Sequence, residues 1–559
     1  MLRKSAHLLT ALALLVPGYA AAQSVVVSPE ADISRLRLGL PELPTQPDLD
    51  LTIRNPEQSA VPKDVSSVDF FVSRVQVNGV SYFPEDRIRA IFEPLEGQRI
   101  RLEMLREKAD LLQALYVERG FLLTRVIIPP QRIEDGTLVV EVVEGYIDDI
   151  LLENSESAGA RLAQDTLETL RGKRPLNIRQ LDGKLLVLNE VPGIAVQTLL
   201  RPGSELGAAS MLLSTSRLPN QGFASVSNTG SDSIGPALFS LGYTISSPLG
   251  RPGALDLSAT IAGRSLEELQ AVSARYAFPV NNSGAILYLG GLAARAKPGG
   301  VATDLDVSSV SSSLEARLRV PLHRTRSSAL YLEGGLIFAQ TRTTALSAEI
   351  TDDKIFSYEA ALRGRHQSPL GQTNAQISVT SGLPAFGALN AGATNPSVEE
   401  FKPHFRKLSG QLDHVVSLSN NISLLARVTG QWTDDRLLAG EQVAFGGPFL
   451  GRGYVPSSLT GDKGIGALAE LRFGLPSIEA PSLVSNVQAY GFGDIAETKL
   501  LAADGIAAEK EGLMSYGLGL RALLVNRLFL DLQLSYEGRE IVGSESRPVR
   551  VNLNLVSTF

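Results

Sequence analysis

The chain has 559 residues, a formal net charge of −7, five histidines and no cysteine. That length exceeds one ordinary core and calls for several domains. The absence of thiols excludes thiolate catalysis, cysteine-ligated zinc and disulfides. The histidines (His7, His323, His366, His404 and His414) lack metal-motif spacing, and the acidic balance argues against a nucleic-acid ligand.

Arg3 and Lys4, the apolar stretch Leu8 to Val16 and the small residues Ala20-Ala21-Ala22 have the order of a secretory signal peptide over residues 1–22, cleaved after Ala22. Past it, no apolar run approaches the ~18 residues of a spanning helix. That does not exclude a membrane barrel, whose strands show lipid only alternate residues. Residues 23–69 carry Pro29, Pro41, Pro44, Pro47, Pro56 and Pro62 and read as leader and linker. Within them residues 30–40 form either one short helix, with Ile33, Leu36 and Leu40 along a stripe, or an unstructured leader.

Residues 70–145 predict strand, helix, helix, strand, strand. The helices run over Glu85 to Glu93 and Leu102 to Arg119, the second stopped by Gly120, and the last strands are Leu122 to Ile128 and Thr137 to Val143. Residues 146–217 repeat the order, with strands at Tyr146 to Leu152, Val196 to Leu200 and Ala208 to Ser214. Their helices fall at Ala160 to Arg171 and Ile178 to Val191. Tandem units of ~75 residues present an edge or groove to a partner.

From 218 to 559 helical periodicity disappears and about sixteen alternating segments follow, an even number in the bacterial barrel range. Leu528, Leu530, Leu532, Leu534 and Tyr536 share one face, against Arg527, Asp531, Gln533 and Ser535. Ile422, Leu424, Ala426 and Val428 oppose Ser423, Arg427, Thr429 and Gln431, with Trp432 at the strand end where an interfacial aromatic belongs. The last strand alternates Val549, Val551, Leu553 and Leu555 with Arg550, Asn552 and Asn554, and closes on Phe559. The predicted fold is a membrane all-β barrel of about sixteen antiparallel strands behind two small α/β units.

One connection, residues 433–462, is far longer than the rest and glycine-rich around a single cation, Phe445-Gly446-Gly447-Pro448-Phe449-Leu450-Gly451-Arg452-Gly453-Tyr454. By strand parity Tyr490, Phe492 and Asp494 point inward with Asn486 and Gln488, and so do Glu470 and Arg472. On the residues alone, Arg452 is either solvated on an outer loop or paired in the lumen with Asp494 or Glu470.

Tyr116-Val117-Glu118-Arg119-Gly120-Phe121, Pro129-Pro130-Gln131, Asp135-Gly136-Thr137-Leu138 and Val143-Glu144-Gly145 resemble the first POTRA (polypeptide-transport-associated) domain of two-partner secretion transporters. These are the haemolysin and filamentous-haemagglutinin secretion type within the barrel-assembly superfamily. Pro192-Gly193 and Pro202-Gly203 match the second POTRA domain, and Asn228, Gly230 and Gly235 the opening strands. Arg452-Gly453-Tyr454, Gly461-Asp462-Lys463-Gly464 and Phe492 with Asp494 resemble the family's signature motifs, and Phe559 its terminal assembly signal. Gly451 departs from the family, which usually has an aliphatic residue there.

The resemblance implies an outer-membrane translocase of type V secretion, with POTRA domains in the periplasm and no catalytic residues, cofactor or metal. In it the long loop folds inward, Arg452 pairs with Asp494, and Glu470 is the lesser candidate. The N-terminal segment is a plug that leaves before transport. The implied partners are an exported cargo protein (a large adhesin, cytolysin or toxin), the barrel-assembly machinery and outer-membrane lipid, with no nucleic acid. A barrel-assembly insertase of the same superfamily is the alternative, though it usually carries more POTRA repeats than two.

Overall fold

The computed structural model describes residues 33–35, 51–53, 69–133, 135–263, 266–390, 392–475, 484–525, 527–541 and 547–559. The signal peptide at 1–22 lies outside them, as does most of the leader.

In the first α/β unit the strand Thr137–Val143 sits between Arg74–Asn78, parallel to it, and Arg125–Ile127, antiparallel. A short pair, Asp69–Val72 with Gln98–Arg101, was not foreseen from the alternation. Four residues are too few to show a period. The helices are α1 (Glu85–Phe92) and α2 (Leu102–Glu118). Leu105, Ala109, Leu112 and Tyr116 are buried on α2, at steps of four, three and four that form one stripe. Leu105, Leu112 and Tyr116 share a core with Leu138, Val140 and Val142, the inward set of a period-2 strand. Burial and the adjacent Glu144 carboxylate push the Tyr116 phenol far above its ordinary value.

The second unit carries α3 (Ala160–Glu168) and α4 (Ile178–Asn189) on a four-stranded sheet. The Asn177 side chain caps α4 by accepting the Arg179 N–H at 2.9 Å. The sheet order is Leu51–Ile53, Ile194–Pro202, Ala208–Arg217, Tyr146–Leu152. Its first member comes from the linker and runs parallel to Ile194–Pro202, with Leu51 opposite Thr198.

Only Leu218, Pro219 and Asn220 separate this unit from the barrel. Sixteen strands close in chain order. They are β1 (Gln221–Ser227), β2 (Leu238–Ser246), β3 (Ala254–Ala262), β4 (Leu269–Pro279), β5 (Ile286–Ala296), β6 (Ser308–Arg324), β7 (Ser328–Ala345) and β8 (Ala348–Ser368). The circle continues with β9 (Gly371–Gly382), β10 (Arg406–Ser417), β11 (Ile422–Thr433), β12 (Lys463–Gly474), β13 (Val484–Leu500), β14 (Glu509–Leu524), β15 (Leu528–Glu537) and β16 (Val549–Thr558). All pairs are antiparallel, and β1 meets β16 to close the barrel. On β6, Val310, Leu314 and Leu318 are exposed outward, while Ser309, Ser311 and Ser313 are buried inward. Ser309 and Ser311 share hydroxyl bonds of 2.9 Å with Thr343 and Thr341 of β7. In β8 and β13 polar residues such as Asp352, Asp353, Glu497 and Lys499 continue the ladder beyond the apolar band.

One parity reading needs correction. A bulge between Ser485 and Gln488 interrupts the β13 ladder, and Asn486 takes φ 50°. Asn486 therefore stands outside the alternation that carries Tyr490, Phe492 and Asp494.

The second α/β unit docks on the turns at the near end of the barrel. Glu190, at the end of α4, accepts Tyr331 Oη at 2.8 Å and also binds Arg324 Nε. Asp182 holds Arg326 through two bonds of 2.9 and 3.1 Å. Residues 33–35 form a single 3-10 turn at the far end of the lumen, where Ile33 packs against Ala262, Leu269, Ala294 and Ala296. Arg35 Nη2 donates to Gln442 Oε1 of the long loop at 3.4 Å. The remainder of the 30–40 helix expectation lies outside the described residues.

Candidate functional site

The loop between β11 and β12 turns into the lumen instead of standing above it. Its limbs pair as a small hairpin, Val443–Phe445 with Leu459–Gly461. Asp462 clamps the base, accepting the N–H groups of Leu437 at 3.0 Å and Leu501 at 2.8 Å. Phe445, Leu450, Tyr454 and Leu459 bury themselves against Leu425, Leu468, Ala496 and Leu513, an apolar patch on the inner wall. The wall gives room where the loop approaches: a side chain at Gly466 would meet Leu450 at 2.9 Å. An inward β12 glycine that reads as a weak strand residue is thus a contact requirement.

At the tip Arg452 is 4% exposed, and Asp494 and Glu470 are each 1% exposed. Asp494 Oδ2 accepts the backbone N–H of Gly451 at 3.0 Å, the N–H of Arg452 at 2.9 Å and Arg452 Nε at 3.3 Å. Its Oδ1 takes Arg452 Nη2 at 3.2 Å, and Ser515 Oγ donates to Oδ2 at 3.2 Å. Arg452 Nη1 lies 2.5 Å from Glu470 Oε2. The guanidinium stacks 3.6 Å from the Phe492 ring centroid. The Arg452 backbone carbonyl accepts Ser535 Oγ at 3.0 Å and Asn552 Nδ2 at 3.2 Å.

Gly451 has φ 86°, a conformation that penalises any side chain, and a Cβ there would lie 3.0 Å from Leu513 and from Gly446 N. In that conformation the Gly451 backbone N–H reaches Asp494 Oδ2. At Gly453 a Cβ would lie 2.7 Å from the Tyr536 carbonyl oxygen. Tyr454 Oη donates to the Met514 carbonyl at 2.8 Å and accepts the Arg539 N–H at 3.2 Å. Phe559 sits elsewhere, at the seam: it exchanges backbone hydrogen bonds of 3.0 and 2.8 Å with Gly222, and its ring lies where a Gly222 side chain would be.

Arg452, Gly453, Tyr454, Phe492, Asp494 and Glu470 thus converge in one place, with Phe559 apart. Sequence reasoning passed over Arg521 and did not link Arg472 to the loop. Arg521 gives Glu470 bonds of 2.7 and 3.3 Å, and Arg472 Nε gives it another of 2.7 Å. Arg521 also reaches Asp531 at 3.1 Å, which Tyr490 Oη meets at 2.7 Å. Three cations and three carboxylates therefore balance across β12 to β15 and the loop tip. The signal for Arg521 was the parity that located Asp494, one charge on the inward side of a strand. Inward Gly517 and Gly519 of β14 leave room for the rings of Phe492 and Tyr490.

A family model described as haemolysin secretion/activation protein ShlB/FhaC/HecB matches residues 212–522, and an ShlB-type POTRA domain matches residues 70–145. The chain belongs to this secretion family. Members of the family are outer-membrane two-partner secretion transporters, with the barrel in the outer membrane and the POTRA domains in the periplasm. A similar protein is the heme/hemopexin transporter protein HuxB of Haemophilus influenzae (strain 86-028NP). It is 22% identical over 449 residues, covering 78% of this chain and 77% of the relative. The outer membrane transporter CdiB of Escherichia coli O6:K15:H31 (strain 536 / UPEC) is 23% identical over 435 residues, covering 76% and 72%. The solved structure of CdiB from Escherichia coli superposes with a TM-score of 0.70 at 20% identity, over 90% of this chain and 93% of that one. BamA from Haemophilus ducreyi, lacking POTRA domains 1-3, gives 0.53 at 12% identity, over 88% and 100%. These structural likenesses bear on the fold. The family match separates the secretion reading from the insertase alternative.

Proposed function

We propose that this secretion-family transporter takes one exported protein, a large adhesin, cytolysin or toxin, from the periplasm through its own lumen to the cell surface. The carrying observation is that the loop tip is held to the inner wall by ion pairs and hydrogen bonds around Arg452. Such contacts can be exchanged for water or a passing backbone without dismantling the barrel. Mature residues from Gln23 to 69 serve as leader and plug, 70–145 and 146–217 as receptors, 218–559 as conduit. Cargo strands add at sheet edges of the receptors. The barrel-assembly machinery inserts the chain. We read it as a conduit and not an enzyme: each carboxylate of the tip network is taken up by a guanidinium, which suits anchoring better than proton transfer.

Removing residues 70–145 tests the receptor assignment. Cargo secretion is expected to stop while the barrel still inserts and migrates faster on unheated gels. Undiminished secretion with an inserted barrel would reject it.

A further inference from the structure

Three lysines stand side by side on the outer wall. Lys463 of β12 pairs with Lys499 of β13, which pairs with Lys510 of β14. Directly paired residues point to one face with Cα atoms about 5 Å apart, and like charges so placed repel. Ile465, Ile495 and Met514 are exposed on the same sides of their strands, so the lysines also face outward. All three lie at the end of the barrel away from the POTRA domains, level with Trp432, whose ring centroid is 5.1 Å from Lys463 Nζ. Acids offset two of them. Lys463 lies 2.7 Å from the exposed Asp434, and Lys510 lies 2.8 Å from Glu497. Lys499 has no carboxylate within ion-pair reach among the described residues.

Beside this row the wall is hollow. Gly410 of β10 and Gly430 of β11 are directly paired, leaving a dent bordered by Leu412, Val428, Trp432 and Ile465. The groove has a volume of about 830 Å³, within the range of small-molecule sites, and is lined largely by apolar atoms. An apolar trough in the lipid belt with cations at its outward end matches a molecule that has acyl chains below and phosphate above.

We propose that this groove and lysine row bind one phosphorylated, multiply acylated glycolipid of the outer leaflet, the lipid A part of lipopolysaccharide. Its acyl chains lie over the Gly410–Gly430 dent. Its phosphates sit between Lys463, Lys499 and Lys510 and relieve their repulsion. A glycerophospholipid has the same charge type but fewer chains and a single phosphate.

Trp432 is the only tryptophan in the chain and borders the groove, so it reports occupancy. The full-length protein in detergent is titrated with bis-phosphorylated lipid A while Trp432 fluorescence is followed. Saturable binding is expected. Each lysine near a membrane surface contributes about fivefold, so Lys463→Gln/Lys499→Gln/Lys510→Gln should weaken binding roughly a hundredfold. Lys499→Gln alone, which breaks no ion pair, should cost about fivefold, and Lys499→Arg should restore most of that. Heat-dependent gel migration identifies folded samples, and the single variants answer the question if the triple one does not fold. Dephosphorylated lipid A should bind the native protein as weakly as lipid A binds the triple variant. Equal binding by native and variant proteins would overturn the proposal. So would phosphatidylglycerol binding as tightly as lipid A, which would make the row a general anionic belt.

Discussion

At the residue scale the tip is decided by how many donors one carboxylate satisfies. Asp494 serves two backbone N–H groups of the loop as well as the Arg452 side chain. Glu470 is shared among Arg452, Arg472 and Arg521. Removing the Arg452 side chain therefore leaves Glu470 neutralised by two guanidiniums, but Asp494 buried without a cation. Breaking one side of such a pair costs on the order of 3 kcal/mol. Arg452→Ala and Asp494→Ala should each reduce cargo secretion and open the loop to added protease. The double variant should lose less than the product of the two single losses, because both single variants break the shared Arg452–Asp494 pair. Secretion falling by the product of the single losses would show that the two residues act separately.

At the element scale, two ion pairs of unequal worth tie α4 and its C-terminal Glu190 to the barrel. The Glu190 and Arg324 side chains are only 4% and 6% exposed, whereas Arg326 is 59% exposed. An exposed pair contributes about 0–1 kcal/mol, while stripping a buried cation of its partner costs about 3–5 kcal/mol. Glu190→Ala should thus loosen the second POTRA domain from the β6–β7 turn, and Asp182→Ala should not. Distance distributions between spin labels on α4 and on that turn would check this: broadening is expected for Glu190→Ala alone. Similar widths in both variants would locate the attachment elsewhere, for example at the hydrogen bond of 3.0 Å from Ser247 Oγ to the Gly193 carbonyl.

At the scale of the whole molecule, closure depends on a short seam. β1 and β16 share five residue pairs, from Phe223 with Thr558 to Ser227 with Asn554. Gly222 and Phe559 extend them with two backbone bonds. Deleting Phe559 removes those bonds together with the ring over Gly222, whereas Phe559→Ala removes the ring alone. The fraction of heat-modifiable barrel in outer membranes should fall for both and further for the deletion. Unchanged yields in both would remove Phe559 from the assembly step.

Much of this architecture is legible residue by residue. Side chains on a strand alternate by covalent geometry, so inward and outward sets, the sixteen segments and the inward aim of Asp494 and Glu470 are local properties of the sequence. The helical stripes of α2 and α4 are local for the same reason. Fold and family could thus be read before any contact was known. What alternation cannot contain is distance across the lumen. Whether the loop falls inward, that Arg452 touches both acids, and that Arg521 shares Glu470 depend on which strands curve to face one another and where glycines thin the wall. The three-residue strand Leu51–Ile53 pairs with Ile194–Pro202 in the second POTRA sheet, and a segment of that length carries no period of its own. The bulge at Asn486 is a mismatch between two strands, so neither strand's sequence alone encodes it.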